Sequence, residues 1–104
     1  MNDGIIELNT ERANKLGFTF DKFRGYLWKD KKYIIISFIT SLHEGQGNLS
    51  KLFKNIEEKG YGIKVPTPFP KMQQICMNHG FKPTKEYFKR EQCWVEVWVK
   101  EVTV

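Results

Sequence analysis

Tyr33-Ile-Ile-Ile-Ser-Phe-Ile-Thr-Ser41 runs through Leu42 and His43 into the turn Glu44-Gly-Gln-Gly-Asn48, and Leu49-Ser-Lys-Leu-Phe-Lys-Asn-Ile56 follows at once. The first stretch carries no polar residue before Ser37. It reads as a central strand covered on both faces, with helices packed against its sheet. After the glycine turn, Leu49, Leu52, Phe53 and Ile56 keep the i, i+3, i+4, i+7 spacing of a helix. Asn48 or Ser50 is its expected cap and Gly60 its end. A strand that empties through glycines into a helix start gathers free backbone N–H groups at the positive end of the helix dipole. That is an anion site, so a phosphate-bearing ligand is the first expectation.

The flanking segments extend this unit in both directions. Tyr61 to Val65 returns as a strand, which gives a strand–helix–strand crossover with parallel ends. Pro66, Pro68 and Pro70 interrupt regular structure, and Pro70 suits the first turn of a second helix. Met72, Ile75, Cys76 and His79 share one face of that helix, and Gly80 ends it. Upstream, Arg24–Trp28 and Tyr33–Ser41 form a hairpin with its turn at Lys29–Lys32. Ile5–Leu8 is a short strand, and Asn9–Leu16 a short helix with Asn9 or Thr10 as cap and Gly17 as stop. Phe18 to Phe23 is a loop or a helical turn. Downstream come strands at Lys85–Phe88 and Cys93–Val99, the latter alternating Cys93, Val95, Val97 and Val99 against Trp94, Glu96 and Trp98. The expected fold is a single α/β (or α+β) domain over residues 1–104, a mixed sheet with a few helices.

Composition narrows the partners. Seventeen Lys and Arg against twelve Asp and Glu give a net charge of +5. That balance favours anions such as nucleic acid, CoA-type nucleotides or an acidic protein surface, and equally serves as a solubilising surface. Cys76 and Cys93 fall inside regular elements and do not suggest a disulfide framework. The start, Met-Asn-Asp-Gly, does not resemble a signal peptide, and no apolar run approaches the ~18 residues of a membrane span. A reduced, cytoplasmic location is expected.

From Arg24 onward the order of parts resembles the GNAT family of acyl-CoA N-acyltransferases. In that family a central strand leads to a loop of pattern Gln/Arg-x-x-Gly-x-Gly/Ala whose amides hold the acyl-CoA pyrophosphate. The next strand splays away, and a later helix ends in Gly-Phe. Here Gly47 lies five residues before Leu52-Phe53, as the family's loop glycine lies before its Leu pair, and Pro70, Gly80 and Phe81 match the later helix and its exit. The final strand, Val95-Glu-Val-Trp-Val-Lys100, resembles the family's closing strand. The resemblance implies acetyl-CoA or another acyl-CoA as co-substrate, held by Ser41, Leu42, His43, Gly45, Gln46, Gly47, Asn48, Leu49 and Ser50. The chain departs from the pattern at Glu44, where the family has Gln or Arg, and at Leu49, where it has Gly or Ala. The family's Asn, Ala and Tyr of the later helix fall on Phe69, Met72 and Cys76. The last of these positions usually protonates the leaving thiolate, so Cys76 is either that acid or a packed core thiol.

Attack of an amine on a thioester needs orientation, an N–H to polarise the carbonyl and a base. His43, at the strand's C-terminal end, is the expected base, with Glu44 next; a surface role is the plainer alternative for His43. His79, in the last turn of a helix, reads as a partner of that helix's C-terminal dipole. Lys82, Lys85, Lys89 and Arg90 with Tyr87 and Phe88 form a basic, aromatic-interleaved run, either a nucleic-acid contact or a solvated hairpin edge. Trp28, Trp94 and Trp98 are an exposed platform or core. His43, His79, Cys76 and Cys93 lack metal-ligand spacing, so no metal is expected. Two function classes follow: an N-acyltransferase acting on a small amine, a terminal amine or a protein lysine, with a short N-terminal part that leaves the cleft open to a macromolecule; or a non-catalytic module of the same fold that binds nucleic acid or a protein.

Overall fold

A computed structural model describes residues 3–43 and 47–102 of the chain. Its described residues form six strands and three helices in the order β1 (Gly4–Glu7), α1 (Glu11–Leu16), β2 (Phe23–Asp30), β3 (Tyr33–Ser41), α2 (Asn48–Glu58), β4 (Gly62–Pro66), α3 (Pro70–Asn78), β5 (Lys82–Phe88) and β6 (Cys93–Lys100). One mixed sheet joins the strands in the order β1-β2-β3-β4-β6-β5. Only β3 and β4 run parallel; the other neighbours are antiparallel. The mixed α/β class read from the sequence holds.

Local chemistry explains most boundaries. Thr10, rather than Asn9, caps α1: its Oγ1 accepts from the Ala13 N–H at 3.2 Å. Gly17 ends α1 in the left-handed region, with φ 77°. Thr19 closes the Phe18–Phe23 segment into a turn by accepting the N–H of Phe23 at 2.9 Å, which tucks both rings into the core 5.5 Å apart. The β2–β3 turn is tighter than expected. Lys29 and Asp30 still pair with Ile34 and Tyr33, leaving Lys31 and Lys32 to turn the chain, with Lys31 at φ 56°. β5 begins at Lys82, three residues earlier than its sequence suggests, because Pro83 sits on an edge strand where its missing N–H costs no ladder bond.

The helices occupy one side of the sheet. Ile6, Leu27, Ile34, Ile36, Ile63, Val65 and Trp98 form a single buried cluster with Ala13 and Leu16 of α1, Leu52, Phe53 and Ile56 of α2, and Cys76 of α3. α2 lies between its neighbours: Asn55 donates to the Leu16 carbonyl, and the Phe53 ring meets those of His79 and Phe81. Cover on both faces of β3, expected from its unbroken apolar run, is not found. Tyr33 and Ile35 are half-buried and Ser37 is exposed. Their support is lateral, because Ile35 has Trp28 opposite on β2 and Lys64 opposite on β4.

Two departures from regularity shape the middle of the sheet. Tyr26 pairs with Phe38 and Trp28 with Ile35, so Leu27 faces two residues, Ile36 and Ser37. This is a β-bulge on β3, and it reverses the alternation beyond it. Ile39 thereby packs against the same core as Ile34 and Ile36. The second departure is a fork. β3 and β4 pair at Tyr33–Gly62, Ile34–Ile63 and Ile35–Lys64, and then part company. From Val65 onward β4 keeps β6 as its partner, while β3 keeps β2.

Candidate functional site

Beyond the fork, β3 presents one edge with no strand beside it. Its N–H and C=O groups between Ser37 and Ser41 on that side face a cleft, since β2 occupies the other edge. The cleft holds about 440 Å³ between Ile36, Ser37, Ile39 and Thr40 on one bank and Val65, Pro66, Thr67 and Pro68 on the other. Pro66 and Pro68 have no N–H to offer across it. Phe69 and Met72 close one side and continue into a second hollow of about 400 Å³. Ser41, His43, Gly47, Asn48, Leu49 and Ser50 line that hollow together with α3 residues Lys71, Met72 and Ile75 and with His79. The two spaces form one groove, from the fork to the start of α2.

The start of α2 opens onto this groove. Gly47 is the N-cap, in the left-handed region at φ 75°, and no side chain caps the helix. The first turn carries no carboxylate. Asn48 and Ser50 are thus not the caps the sequence suggested; they lie inside the helix. A glycine cap leaves the first-turn N–H groups uncovered and the dipole uncancelled. Leu49, which stands where the family has Gly or Ala, packs against the core while forming part of the groove wall. Ser50 Oγ shares a hydrogen bond with His79 Nε2 at 2.9 Å, and the His79 ring stands edge-on to Phe53 at 5.3 Å.

The sequence-derived site residues separate into three groups. Ser41, His43, Gly47, Asn48, Leu49 and Ser50 come together in the groove; Leu42 stands beside it, exposed. Glu44, Gly45 and Gln46 lie outside the described residues. Cys76 is fully buried in the core and forms no wall of the groove, and burial pushes its thiol up to about 11. Its geometry is that of a packed core residue. His79 belongs to the groove in a way its sequence context hid. It is the C-cap of α3, and its ring is committed to Ser50, a contact across 29 residues of chain. Phe69, 83 % exposed at the join of the two hollows, entered the sequence reading only as the residue that stands where the family has Asn.

A further hollow of about 640 Å³ lies at the far end of the sheet, around Tyr33, Lys64, Lys82, Glu86 and Glu101. Most of its charges serve each other. Lys64 pairs with Glu86 at 3.0 Å and stands 4.4 Å over the Tyr33 ring, and the Tyr33 hydroxyl donates to Glu101. No group of three or more His, Cys, Asp or Glu among the described residues is placed to hold a metal, and no helix among them is long and apolar enough to cross a membrane. No protein-family model, no curated protein and no solved structure matches the chain.

Proposed function

We propose that the protein is a small N-acyltransferase of GNAT-like fold that moves an acetyl or related acyl group from acyl-CoA to an amine. The observation that carries this reading is the fork between β3 and β4 with the uncapped start of α2 in the same groove. Each part suits a part of the co-substrate. The first turn of α2 suits a pyrophosphate. The open edge of β3 suits an extended arm bearing amides, which forms strand-like bonds where β4 has left. Met72 and Ile75 supply the apolar wall such an arm needs.

The chemistry asks little more of the chain. The amine nitrogen attacks the thioester carbonyl, the C–N bond forms, the C–S bond breaks, and the departing thiolate takes a proton from water in the open groove. An N–H on the free edge of β3 polarises the carbonyl as charge develops on its oxygen. His43, at the end of β3 and on the groove wall, takes the proton that the nitrogen loses. Glu44 is the second candidate for that role. Ser50, held by His79, adds a hydroxyl donor at the phosphate end.

Thermal unfolding with and without acetyl-CoA tests the reading, with ATP as a polyanion control. A ligand at ~100 times its dissociation constant adds about 2.7 kcal/mol, which raises the midpoint of a domain this size by roughly 10 to 20 °C. We expect that shift with acetyl-CoA and not with ATP, and its loss in Met72→Trp, which fills the groove. His43→Ala should keep the shift and lower kcat against an amine panel by roughly 100-fold or more. Equal response to both nucleotides, or to neither, leaves the non-catalytic binding module as the surviving class.

A further inference from the structure

The β5–β6 hairpin carries a surface that acyl transfer does not use. Tyr87 and Trp94 are cross-strand partners with ring centroids 5.6 Å apart in an edge-to-face arrangement. They are nevertheless 48 % and 67 % exposed, whereas Trp98, on the same face of β6, is 8 % exposed. β6 therefore runs from the core out into solvent, and the two rings stand together beyond the edge of the helix layer. Paired exposed aromatics of this kind mark a contact surface rather than a scattered apolar residue.

The charges around the pair state what kind of contact. Lys85 lies two residues from Tyr87 and so on the same face, and Lys89 and Arg90 sit in the adjoining turn. Among the described residues no carboxylate pairs with Lys82, Lys85, Lys89 or Arg90. Three carboxylates lie nearby: Glu86 pairs with Lys64, Glu96 stands opposite Lys85 across the strands and accepts the Trp98 indole N–H at 2.7 Å, and Glu91 follows Arg90 in the turn. Flat aromatic faces within reach of four cations, Lys82, Lys85, Lys89 and Arg90, against the two carboxylates Glu91 and Glu96, complement a ligand that alternates planar rings with negative charge.

We propose that this hairpin face binds single-stranded nucleic acid, its bases stacking on Trp94 and Tyr87 and its phosphates meeting Lys85, Lys89 and Arg90. A duplex keeps its base faces stacked on one another and offers the rings nothing. An acidic protein offers the charge without the planar partner. Recognition through ring faces accepts every base, so binding is not specific for sequence. The site is separate from the groove and does not depend on the acyl-transfer reading.

Fluorescence anisotropy of labelled oligo-dT and oligo-U strands, titrated with the whole protein at several salt concentrations, tests the proposal. We expect both strands to bind more tightly than a duplex of equal length, with log K falling against log salt by ~0.7 for each phosphate neutralised. Trp94→Ala should weaken binding roughly 5- to 100-fold, and Trp94→Phe much less. Lys85→Gln should lower the salt slope by ~0.7. Because Trp94 is exposed, the thermal midpoint of each variant should match that of the parent, which separates loss of binding from loss of fold. The proposal is overturned if neither strand binds at low salt, if Trp94→Ala binds as the parent does, if the duplex binds as tightly, or if polyglutamate competes as well as oligo-dT. It is also overturned if sedimentation shows the patch joining two copies of the chain in place of binding a strand.

Discussion

Tyr33 stands at the start of β3 with its hydroxyl donating to Glu101, and that bond, with burial, pushes its pKa from 10.0 to about 12. Beneath the ring lies Gly62, where a Cβ would come within 2.7 Å of the ring carbons, so glycine is what lets β4 approach β3 here. The raised value means the fold favours the neutral phenol. Its contribution to stability is complete below the unfolded value near pH 10 and is lost as pH rises through about 12. An ultraviolet titration should therefore show one phenol ionising later than the other tyrosines. Glu101→Gln should bring it earlier, and an unchanged curve would mean that the carboxylate is not the cause. A residue such as this was invisible in the sequence, since its partner lies 68 positions away.

Among the elements, what the sequence made legible and what it concealed differ by physical cause. The glycine-ended helices and the parallel β3–β4 pair followed from spacing that local physics enforces. The bulge did not. Ile34, Ile36 and Ile39 are all apolar, so the run carries no alternation to reveal that its inward parity changes after Ile36. The same lack of alternation suggested cover on both faces, where the second face in fact has lateral neighbours only. The groove was legible in half. Residues at the end of β3 and the start of α2 came from the glycine turn, while Phe69, Met72 and His79 entered through tertiary packing. Deleting Ser37 tests the bulge as an element. Ile39 would then stand an even number of residues from Ile34 and Ile36 and keep its place against the core by regular alternation, so we expect urea unfolding to show stability close to that of the parent. A loss of about 2 kcal/mol or more would show that the extra residue does more than set the parity of Ile39.

At the scale of the whole molecule, one helix layer on one sheet face divides the tasks. The helix side supplies nearly all the burial and, at its two margins, both proposed binding surfaces: the groove at the β3–β4 fork and the aromatic hairpin where β6 leaves the core. A net charge of +5 raises the local concentration of anions around both, so salt should slow their arrival as well as weaken their hold.

The fork also makes β3 a strand with two clocks. Its first three residues are locked between two neighbours, whereas the cleft-facing amides from Ser37 onward have none. In deuterated solvent those amides should exchange without waiting for the protein to open, far ahead of Ile34 and Ile35, whose release needs the sheet to come apart. A ligand lying along the free edge would erase the difference. Residue-resolved exchange thus reports, amide by amide, whether the missing neighbour of β3 has arrived.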